Sequence, residues 1–438
     1  MNSSGTAARG GRPGPTRRRF LAGLGAGLSG LALAGCARGD STAAVEGTAS
    51  FSNDNASWDD GYALASKALQ PLTGYALRPL SVPEAVAYKL VAQMTLQTSR
   101  APDIIKWTSG YELKKLARSG QLTDLSGLWG AYADRGWISE SQRDAMQYRG
   151  AVYGIPMHES YYVVFYSRPV FARLGLRVPE TWDELLHCAT VLKRNGATPF
   201  VGTQYGGWPA YEWFQELISK TDPDFYTALV EGKARYTDEP AVRAMGVWQD
   251  FMRKGWMTPP DYDQGKGAAE LRDGRVGMFL HATWHTKNLS GADMEPLKDY
   301  DAFVLPTVGR STKKSVITES SALAVPRRAA SHEAGMANVG AWLHPDVQRA
   351  WTDYLQDGSA NPVVRAGNPV VAGLRDNIAK DRRARLVRYS EASPPSLIQG
   401  NIQDLSAFMT GQMSPGATLR SMADRADEEW KTWRQDEA

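Results

Sequence analysis

Two residue pairs near the middle of the chain have types and spacings that could support chemistry. His281 and His285 lie four positions apart, so a helix would place both imidazoles on one face, as in some zinc sites. No glutamate directly follows His281 and no third ligand is evident, which argues against zinc. Glu212 and Glu216 have the same spacing, but acids four apart usually mark a solvated helix surface rather than the carboxylate pair of a glycoside hydrolase.

The serine-hydrolase motif G-x-S-x-G does not occur in the sequence. We therefore expect no catalytic residues, no metal and no cofactor. A secreted glycoside hydrolase is the least favoured of the alternatives.

Three glycines near the N-terminus form the pattern G-x-G-x-x-G, at Gly25, Gly27 and Gly30. A dinucleotide loop with this pattern needs a preceding strand, a following helix and an acidic residue about 20 positions later. Here the glycines lie inside an apolar run, Phe20 to Ala34. This run has 15 residues, and a membrane-spanning helix needs about 20. Arginines before it and small residues after it are typical of a secretory signal.

Two motifs sharpen this interpretation. Thr16 to Leu21 resembles the twin-arginine export signal, and Leu33 to Cys36 resembles the lipobox of bacterial lipoproteins. We predict that residues 1–35 are a twin-arginine lipoprotein signal peptide, that Cys36 carries the lipid and that 36–47 form a tether. The protein would then be exported and anchored to the outer face of the cytoplasmic membrane. A plain N-terminal hydrophobic anchor is the alternative.

Removal of the signal changes the charge balance. Residues 1–35 contain five arginines and no acid, so 45 of the 50 basic side chains remain against 47 acidic ones, a net charge of −2. The basic excess of the whole chain therefore does not indicate nucleic-acid binding. The remaining length of about 400 residues exceeds what one core usually holds, so two lobes are expected. Apart from Cys36 the chain has only Cys188, so no intrachain disulfide is expected.

Predicted strands and helices alternate along the chain. Strands are expected at Thr48–Phe51, Leu77–Leu80, Pro102–Trp107, Tyr161–Tyr166, Val276–Leu280 and Tyr300–Leu305. Helices are expected at about 59–72, 81–98, 181–196, 211–219, 240–254 and 268–273, and through most of the last hundred residues. Capping boxes at Ser81–Glu84 and Thr181–Glu184 support two of these helices. Cys188 falls on an apolar helix side and is expected to be buried. The alternation predicts an α/β fold with largely parallel sheets.

Five segments resemble, in order, motifs of the extracellular solute-binding proteins of carbohydrate ABC importers, the group that includes maltose-binding protein. They are APDII (101–105), YGIP with FYS (153–156 and 165–167), LGL with PETWDEL (174–176 and 179–185), GRVGM leading to Trp284 (274–284), and NIQDLSAF (401–408). One such motif is weakly specific, whereas five in the family's order are highly specific. The resemblance runs from about Ser50 to the C-terminus, and the predicted export signal supports it independently.

The resemblance implies two hinged α/β lobes of the type II-like periplasmic-binding-protein fold, with the ligand in the cleft between them. The implied lobes are 48–157 plus 303–357 and 158–302 plus 358–438. The chain would leave the first lobe near Met157, return near Phe303 and cross again near Asp357.

A sugar has apolar C–H faces and a rim of hydroxyl groups, so its site needs aromatic rings for stacking and short polar side chains for hydrogen bonds. Trp284 lies where the family places a stacking residue, after the strand that ends at Leu280. Trp107 ends an earlier strand, and ligands of open α/β sheets bind beyond the carboxyl ends of strands. Both tryptophans are candidate ligand contacts, with core burial as the alternative.

Polar candidates follow the first strand and the first crossover. Asn53, Asp54 and Trp58 lie in a loop that could meet vicinal hydroxyl groups, or that could be an ordinary Asx-rich turn. Glu159 follows the crossover proline, next to His158, where the family often supplies an acidic or polar contact.

The second lobe offers a further group of candidates. Trp208, Tyr211 and Glu212 occupy a Gly/Pro-rich turn that enters a helix and could form the wall of the cleft. Glu319 and Asn361 are weaker candidates.

Two positions depart from the family's pattern. Ser167 stands where the family has asparagine, and Met409 stands where maltose-binding protein has another stacking tryptophan, which argues against a maltose-length ligand. The resemblance implies a monomeric, non-enzymatic receptor that captures a sugar or oligosaccharide and delivers it to membrane permease subunits. A peptide or metal ligand is the alternative.

Overall fold

The computed structural model describes residues 45–82, 85–309 and 313–437. The predicted signal peptide, Cys36 and most of the tether lie outside the described residues, as do Pro83 and Glu84 of the first predicted capping box. Within the described part, no helix combines the length and the apolar character needed to cross a membrane.

Strands and helices are numbered here in chain order. The strands are β1 (Thr48–Asn53), β2 (Ala76–Ser81), β3 (Ile104–Thr108), β4 (Gln147–Tyr148), β5 (Ala151–Val152), β6 (Ile155–Pro156), β7 (Ser160–Ser167), β8 (Thr198–Phe200), β9 (Val276–Ala282), β10 (Tyr300–Phe303), β11 (Ser315–Glu319), β12 (Ser321–Ala324) and β13 (Ala384–Val387). The α-helices are α1 (Asp59–Thr73), α2 (Ala85–Thr95), α3 (Tyr111–Arg118), α4 (Ser126–Asp134), α5 (Arg168–Arg173), α6 (Trp182–Arg194), α7 (Glu212–Thr221), α8 (Pro223–Val230), α9 (Glu239–Arg253), α10 (Gly267–Arg272), α11 (Thr286–Gly291), α12 (His332–Ala341), α13 (Pro345–Leu355), α14 (Pro369–Lys380), α15 (Pro395–Met409) and α16 (Pro415–Glu437).

The first sheet has the strand order β2-β1-β3-β12-β6. Strand β1 pairs in parallel with β2 and β3, whereas β12 runs antiparallel to β3 and β6. The buried side chains of Phe51, Ile105, Leu323 and Trp342 belong to one core that includes this sheet and the helices on it. We call these elements the first lobe.

The second sheet has the strand order β13-β11-β7-β9-β8, and β10 also pairs with β7. Every residue of the central strands β7 and β9 is buried, as their near-continuous apolar sequences predict. Separate cores on the two faces of this sheet contain Val164 and Trp213 on one side and Phe165 and Phe279 on the other. We call these elements the second lobe.

The sheets are mixed rather than largely parallel, because β7 and β12, the strands that begin after crossovers, run antiparallel to each strand with which they pair. The chain leaves the first sheet after Pro156 and enters the second at Ser160. It returns at Ser320, between β11 and β12, and not near Phe303, because β10 and β11 both pair with β7 of the second sheet. Full lobe boundaries stay a prediction.

Local sequence explains the helix that supports the second sheet. Thr181 accepts a hydrogen bond from the Glu184 backbone, and the Glu184 side chain accepts from the Thr181 backbone, so the predicted capping box is present at the start of α6. Cys188 lies on the buried side of this helix, where burial raises the pKa of its thiol to about 11. Its thiol is therefore protonated and packs as a small apolar group.

Candidate binding cleft

A cleft of about 990 Å³ is lined by residues of both lobes. First-lobe residues come from the turn after β1, from α2, from β3 and from the start of α3. Second-lobe residues come from the turn before α7, the turn after β9, the segment after β13 and the first turns of α15. The cleft therefore lies where the carboxyl ends of β1, β3 and β9 meet, the usual ligand position in open α/β sheets.

The first wall of the cleft carries two ion pairs. Lys106 Nζ lies 2.5 Å from Asp54 Oδ1, and Lys89 Nζ lies 2.7 Å from Glu112 Oε1. The ammonium group of Lys106 also lies 5.3 Å from the ring centroid of Trp58, within cation–π range. These contacts hold polar groups and one indole ring in fixed positions at the cleft surface.

The second wall is aromatic. Trp208, Tyr211 and Trp284 all line the cleft. The Trp208 ring stacks on the imidazole of His281 at 5.8 Å, and Trp284 meets the same imidazole edge-on at 4.5 Å. His281 is 2 % exposed, so it supports the two indole rings from behind.

A chain of polar contacts connects Trp284 to the first lobe. Trp284 Nε1 donates to Glu319 Oε1 at 2.5 Å, and Glu319 forms an ion pair with Arg388. Arg388 also donates to Glu391 at 2.6 Å, and Glu391 accepts a hydrogen bond of 2.7 Å from Ser109 of the first lobe. Glu319 thus holds the indole of Trp284, and both of its oxygens already accept hydrogen bonds.

Backbone contact between the lobes occurs at the same place. The Tyr111 N–H donates to the Glu391 carbonyl at 2.8 Å. A Cβ atom at Gly110 would lie 2.0 Å from that carbonyl oxygen, and the Gly110 φ of +66° is one that L side chains rarely adopt. Only glycine therefore permits this approach of α3 to the segment before α15.

Behind the aromatic wall, Glu212 and His281 form a buried pair, with 3.0 Å between Oε1 and Nδ1. Burial raises the pKa of Glu212, and the neighbouring His281 opposes this shift. Burial, assisted by His281, lowers the pKa of His285 well below its usual value, so His285 is neutral. Among the described residues no group of three or more His, Cys, Asp or Glu side chains could hold a metal ion.

His158 lines the first wall and contacts the Trp58 ring edge-on at 6.2 Å. Burial lowers its pKa to about 4, although Glu319 opposes the shift. The imidazole is therefore neutral in the cleft at physiological pH.

Six of the sequence-predicted ligand contacts line this cleft: Asp54, Trp58, Trp208, Tyr211, Trp284 and Glu319. Four others, Asn53, Trp107, Glu159 and Glu212, do not. The weaker candidate Asn361 is also elsewhere, buried with its amide bonded to the Leu343 carbonyl.

Trp107 is a core residue, contrary to its predicted place in the cleft. Its ring is 2 % exposed, lies in the first-lobe core and donates to the Glu112 carbonyl at 3.2 Å. Strand β3 continues to Thr108, so alternation directs Lys106 and Thr108 into the cleft and Trp107 to the opposite face. The predicted strand ended at Trp107, one residue before the end of β3, so Trp107 was wrongly placed beyond the strand.

Asn53 is also buried, because it is the last residue of β1. Its amide donates to Ser81 at 2.9 Å, and its carbonyl oxygen accepts from the Asn55 backbone at 2.9 Å. This is the Asx-turn alternative, and it leaves the cleft position to Asp54.

Glu159 faces away from the cleft, towards a small cavity behind the crossover. Its two oxygens are occupied by Arg385 at 2.5 Å and by the Tyr161 hydroxyl at 2.6 Å. The neighbouring His158 takes the cleft position instead, since adjacent residues of extended chain point to opposite sides.

Sequence reasoning missed most of the charged lining. Lys106 could have been found from strand alternation next to Trp107. Arg388 and Glu391 lie in a segment that carries no motif, and their partners Glu319 and Ser109 are 69 and 282 residues distant. Met409 is 8 % exposed and belongs to the second-lobe core, so it does not replace a stacking residue.

A family model described as bacterial extracellular solute-binding protein matches residues 53–349. An uncharacterized ABC transporter extracellular-binding protein of Pyrococcus horikoshii is 24% identical over 235 residues, 52% of each chain. The alpha-glucosides-binding periplasmic protein of Rhizobium meliloti is 26% identical over 200 residues, 42% of each chain. These matches span about half or less of the relatives' length.

One solved structure, the bacterial solute receptor AcbH, has a TM-score of 0.78 at 16% identity, covering 88% of this chain and 100% of AcbH. That receptor is described as having an exclusive preference for β-D-galactopyranose. The similarity confirms the two-lobed α/β fold that the sequence predicted.

Proposed function

The chain belongs to the bacterial extracellular solute-binding protein family, and on this premise we propose that it captures a neutral sugar or oligosaccharide and delivers it to an ABC transporter permease. The observation that carries the proposal is the composition of the cleft, in which an aromatic wall of Trp208, Tyr211 and Trp284 faces a polar wall. Aromatic rings stack on the apolar faces of sugar rings, and polar groups bind the hydroxyl rim.

The charges of the cleft support a neutral ligand. Each acidic side chain that lines it has a cationic partner: Asp54 with Lys106, Glu112 with Lys89, and both Glu319 and Glu391 with Arg388. A cationic ligand would have to break such a pair and leave a partly buried charge without a partner, and the lining cation outside these pairs, Lys287, packs on the Tyr354 ring. Sugar hydroxyl groups can instead donate hydrogen bonds to the carboxylate oxygens of these pairs, or accept them from the ammonium and guanidinium N–H groups.

The relatives agree with this class of ligand. One is named for binding alpha-glucosides, and another is described as preferring β-D-galactopyranose. The two ligands differ in kind, so they support a sugar in general and no particular sugar.

The expected mechanism is capture by closure of the lobes. Ser109 and Tyr111 contact Glu391 at one end of the cleft, and the Lys287 ammonium lies 4.0 Å from the Tyr354 ring centroid at another. Such contacts between lobes, together with ligand contacts to both walls, favour the closed state because the open state lacks them. The closed receptor would then dock on the permease.

The test is a thermal-unfolding screen of the purified mature protein with neutral mono- and oligosaccharides, dipeptides, and Zn²⁺ or Mn²⁺. A ligand at 100 times its Kd stabilises a protein by about 2.7 kcal/mol, so a binding sugar should raise the Tm by several degrees. Calorimetric titration then measures its affinity. Shifts with peptides or metal ions alone would contradict the proposal.

We further propose that the protein is exported folded and held at the membrane by lipid on Cys36. The support is the order of the twin arginines Arg17 and Arg18, the short apolar run and the lipobox. Cys36→Ser should move the protein from the membrane fraction to the medium, and lysine at both arginines should leave precursor in the cytoplasm. A Cys36→Ser variant that stays in the membrane pellet would show that another element is the anchor.

A further inference from the structure

Next to the aromatic wall, one end of the cleft presents four aliphatic side chains beside Gln399 and the Lys89–Glu112 ion pair. Leu90 of α2 lines it from the first lobe, and Pro395, Ile398 and Ile402 of α15 line it from the second. The position of this end follows from its neighbours: Lys89 pairs with Glu112 of α3, and the start of α3 contacts Glu391, four residues before α15. We call Leu90, Pro395, Ile398 and Ile402 the aliphatic end.

The other end of the cleft is polar. Asn55 and Ser57 line it from the first lobe, and Lys287 and Asn288 line it from the second. Lys287 contacts the Tyr354 ring, and the Tyr354 hydroxyl donates to the Ser57 carbonyl at 2.9 Å. Trp208 and Trp284 lie among the remaining lining residues, so the lining includes hydrogen-bonding, stacking and purely apolar groups.

The apolar surface extends beyond the cleft along the same helix. Leu90 is 57 % exposed, and the next exposed apolar side chains on α2 are Val91 at 46 % and Met94 at 76 %. Positions 90, 91 and 94 share one helical face, because residues three and four apart are neighbours on a helix. A contiguous exposed apolar patch that reaches into a cleft usually marks a binding surface.

Aliphatic side chains have no π face for a sugar ring, and they offer no hydrogen bond to its hydroxyl groups. They do bury alkyl or aryl groups well. We propose, building on the proposed sugar-binding function, that the cleft takes a glycoside with two unlike ends, whose sugar part contacts the aromatic wall and whose apolar aglycone contacts the aliphatic end.

The probe pairs are the methyl and octyl β-glycosides of glucose, galactose and maltose, titrated by calorimetry below the critical micelle concentration of the octyl compounds. For the sugar that binds, the octyl glycoside should bind at least tenfold more tightly than the methyl glycoside, with one ligand per protein. The methyl glycoside should displace it competitively. Equal affinities of the two glycosides would overturn the proposal.

Three variants locate the effect. Leu90→Asn and Ile402→Asn should each reduce the ratio of octyl to methyl glycoside affinity from at least tenfold to less than threefold. Val91→Asn is the matched control, since Val91 is exposed on the same helix but does not line the cleft. Thermal unfolding of each empty variant verifies its fold, and equal loss of the preference in Val91→Asn would assign the effect to the outer helix surface and overturn the proposal.

The outcomes separate this inference from the function on which it rests. If no methyl glycoside and no free sugar binds, the proposed function fails and the aglycone site fails with it. If sugars bind but octyl chains add nothing, the receptor function stands and only the aglycone site is wrong.

Discussion

The two walls of the cleft present different side chains to the space between them. The first wall presents ion pairs, Lys106 with Asp54 and Lys89 with Glu112, and one indole, that of Trp58. The second wall presents three aromatic rings beside the ion pairs of Arg388 with Glu319 and Glu391, and the buried imidazole of His281 supports the two indole rings from behind. A ligand bound between them would have one face stacked and its rim hydrogen-bonded, which is the division that a sugar ring requires.

Trp107 and Trp284 contribute differently to the two walls because they occupy different positions relative to their strands. Trp107 lies inside β3, so strand alternation directs it into the core. Trp284 follows the end of β9 in a short 3₁₀ turn, Thr283–His285, which releases it from alternation and turns it into the cleft. The phase of a strand at its carboxyl end therefore decides which residue reaches the cleft.

The largest expected effects come from removing these two tryptophans in turn. Trp107→Ala leaves a cavity in the first-lobe core and should lower the free energy of unfolding by about 3–5 kcal/mol. Trp284→Ala should lower sugar affinity at least tenfold, a change of about 1.4 kcal/mol, and leave the unfolding of the empty protein much less affected. Denaturant unfolding and calorimetric titration measure the two quantities.

The two variants serve as controls for each other. Trp107→Ala should mainly lower the free energy of unfolding, and Trp284→Ala should mainly lower the affinity for sugar. If Trp284→Ala is as destabilising as Trp107→Ala and retains full affinity, the aromatic wall is part of the core and the comparison of the walls is wrong.

A smaller effect is expected from the buried carboxyl group of Asp357. It accepts hydrogen bonds from Ser160 of β7 and, at 2.5 Å, from Thr283, the buried residue before Trp284. Burial raises its pKa to about 7, which these hydrogen bonds oppose. In the unfolded chain the same carboxyl ionises near pH 4.

The sign of the pH dependence follows from this difference. A raised carboxyl pKa favours the folded state when the group is protonated, so its contribution is fully present below about pH 4 and is lost as pH rises towards 7. His158 acts in the opposite sense: its pKa is lowered to about 4, so its contribution is present above about pH 6.5 and is lost on acidification through pH 4.

Asp357→Asn removes the contribution of Asp357 to the pH dependence of stability and leaves that of His158. Between pH 7 and pH 4.5 the variant should therefore lose more stability on acidification than the wild type, with a difference of up to about 1.4 kcal/mol per pH unit. Thermal unfolding of both proteins across this range measures the slopes. Parallel curves would show that Asp357 titrates in its usual range in the folded protein.

Much of the architecture could be predicted because its signals are local. The capping box of Thr181 and Glu184, the apolar strand around Val164 and the order of five short motifs each depend on neighbouring residues, and they led to the correct fold and family. The ends of strands depend less on neighbouring residues and more on the strands with which they pair. The expected end of β3 was early, and the expected return to the first lobe preceded β11, which pairs with the second sheet.

The sequence by itself determined the solute-binding family and the two-lobed fold through the resemblance of five short motifs, and it singled out six side chains of the cleft from residue type and position. Only the tertiary structure decided the partners of those side chains. Arg388 reaches Glu319 and Glu391, and Ser109 reaches Glu391 across 282 residues of chain. Ion pairs and hydrogen bonds depend on distance in space, and that distance is set when the two sheets pack against each other.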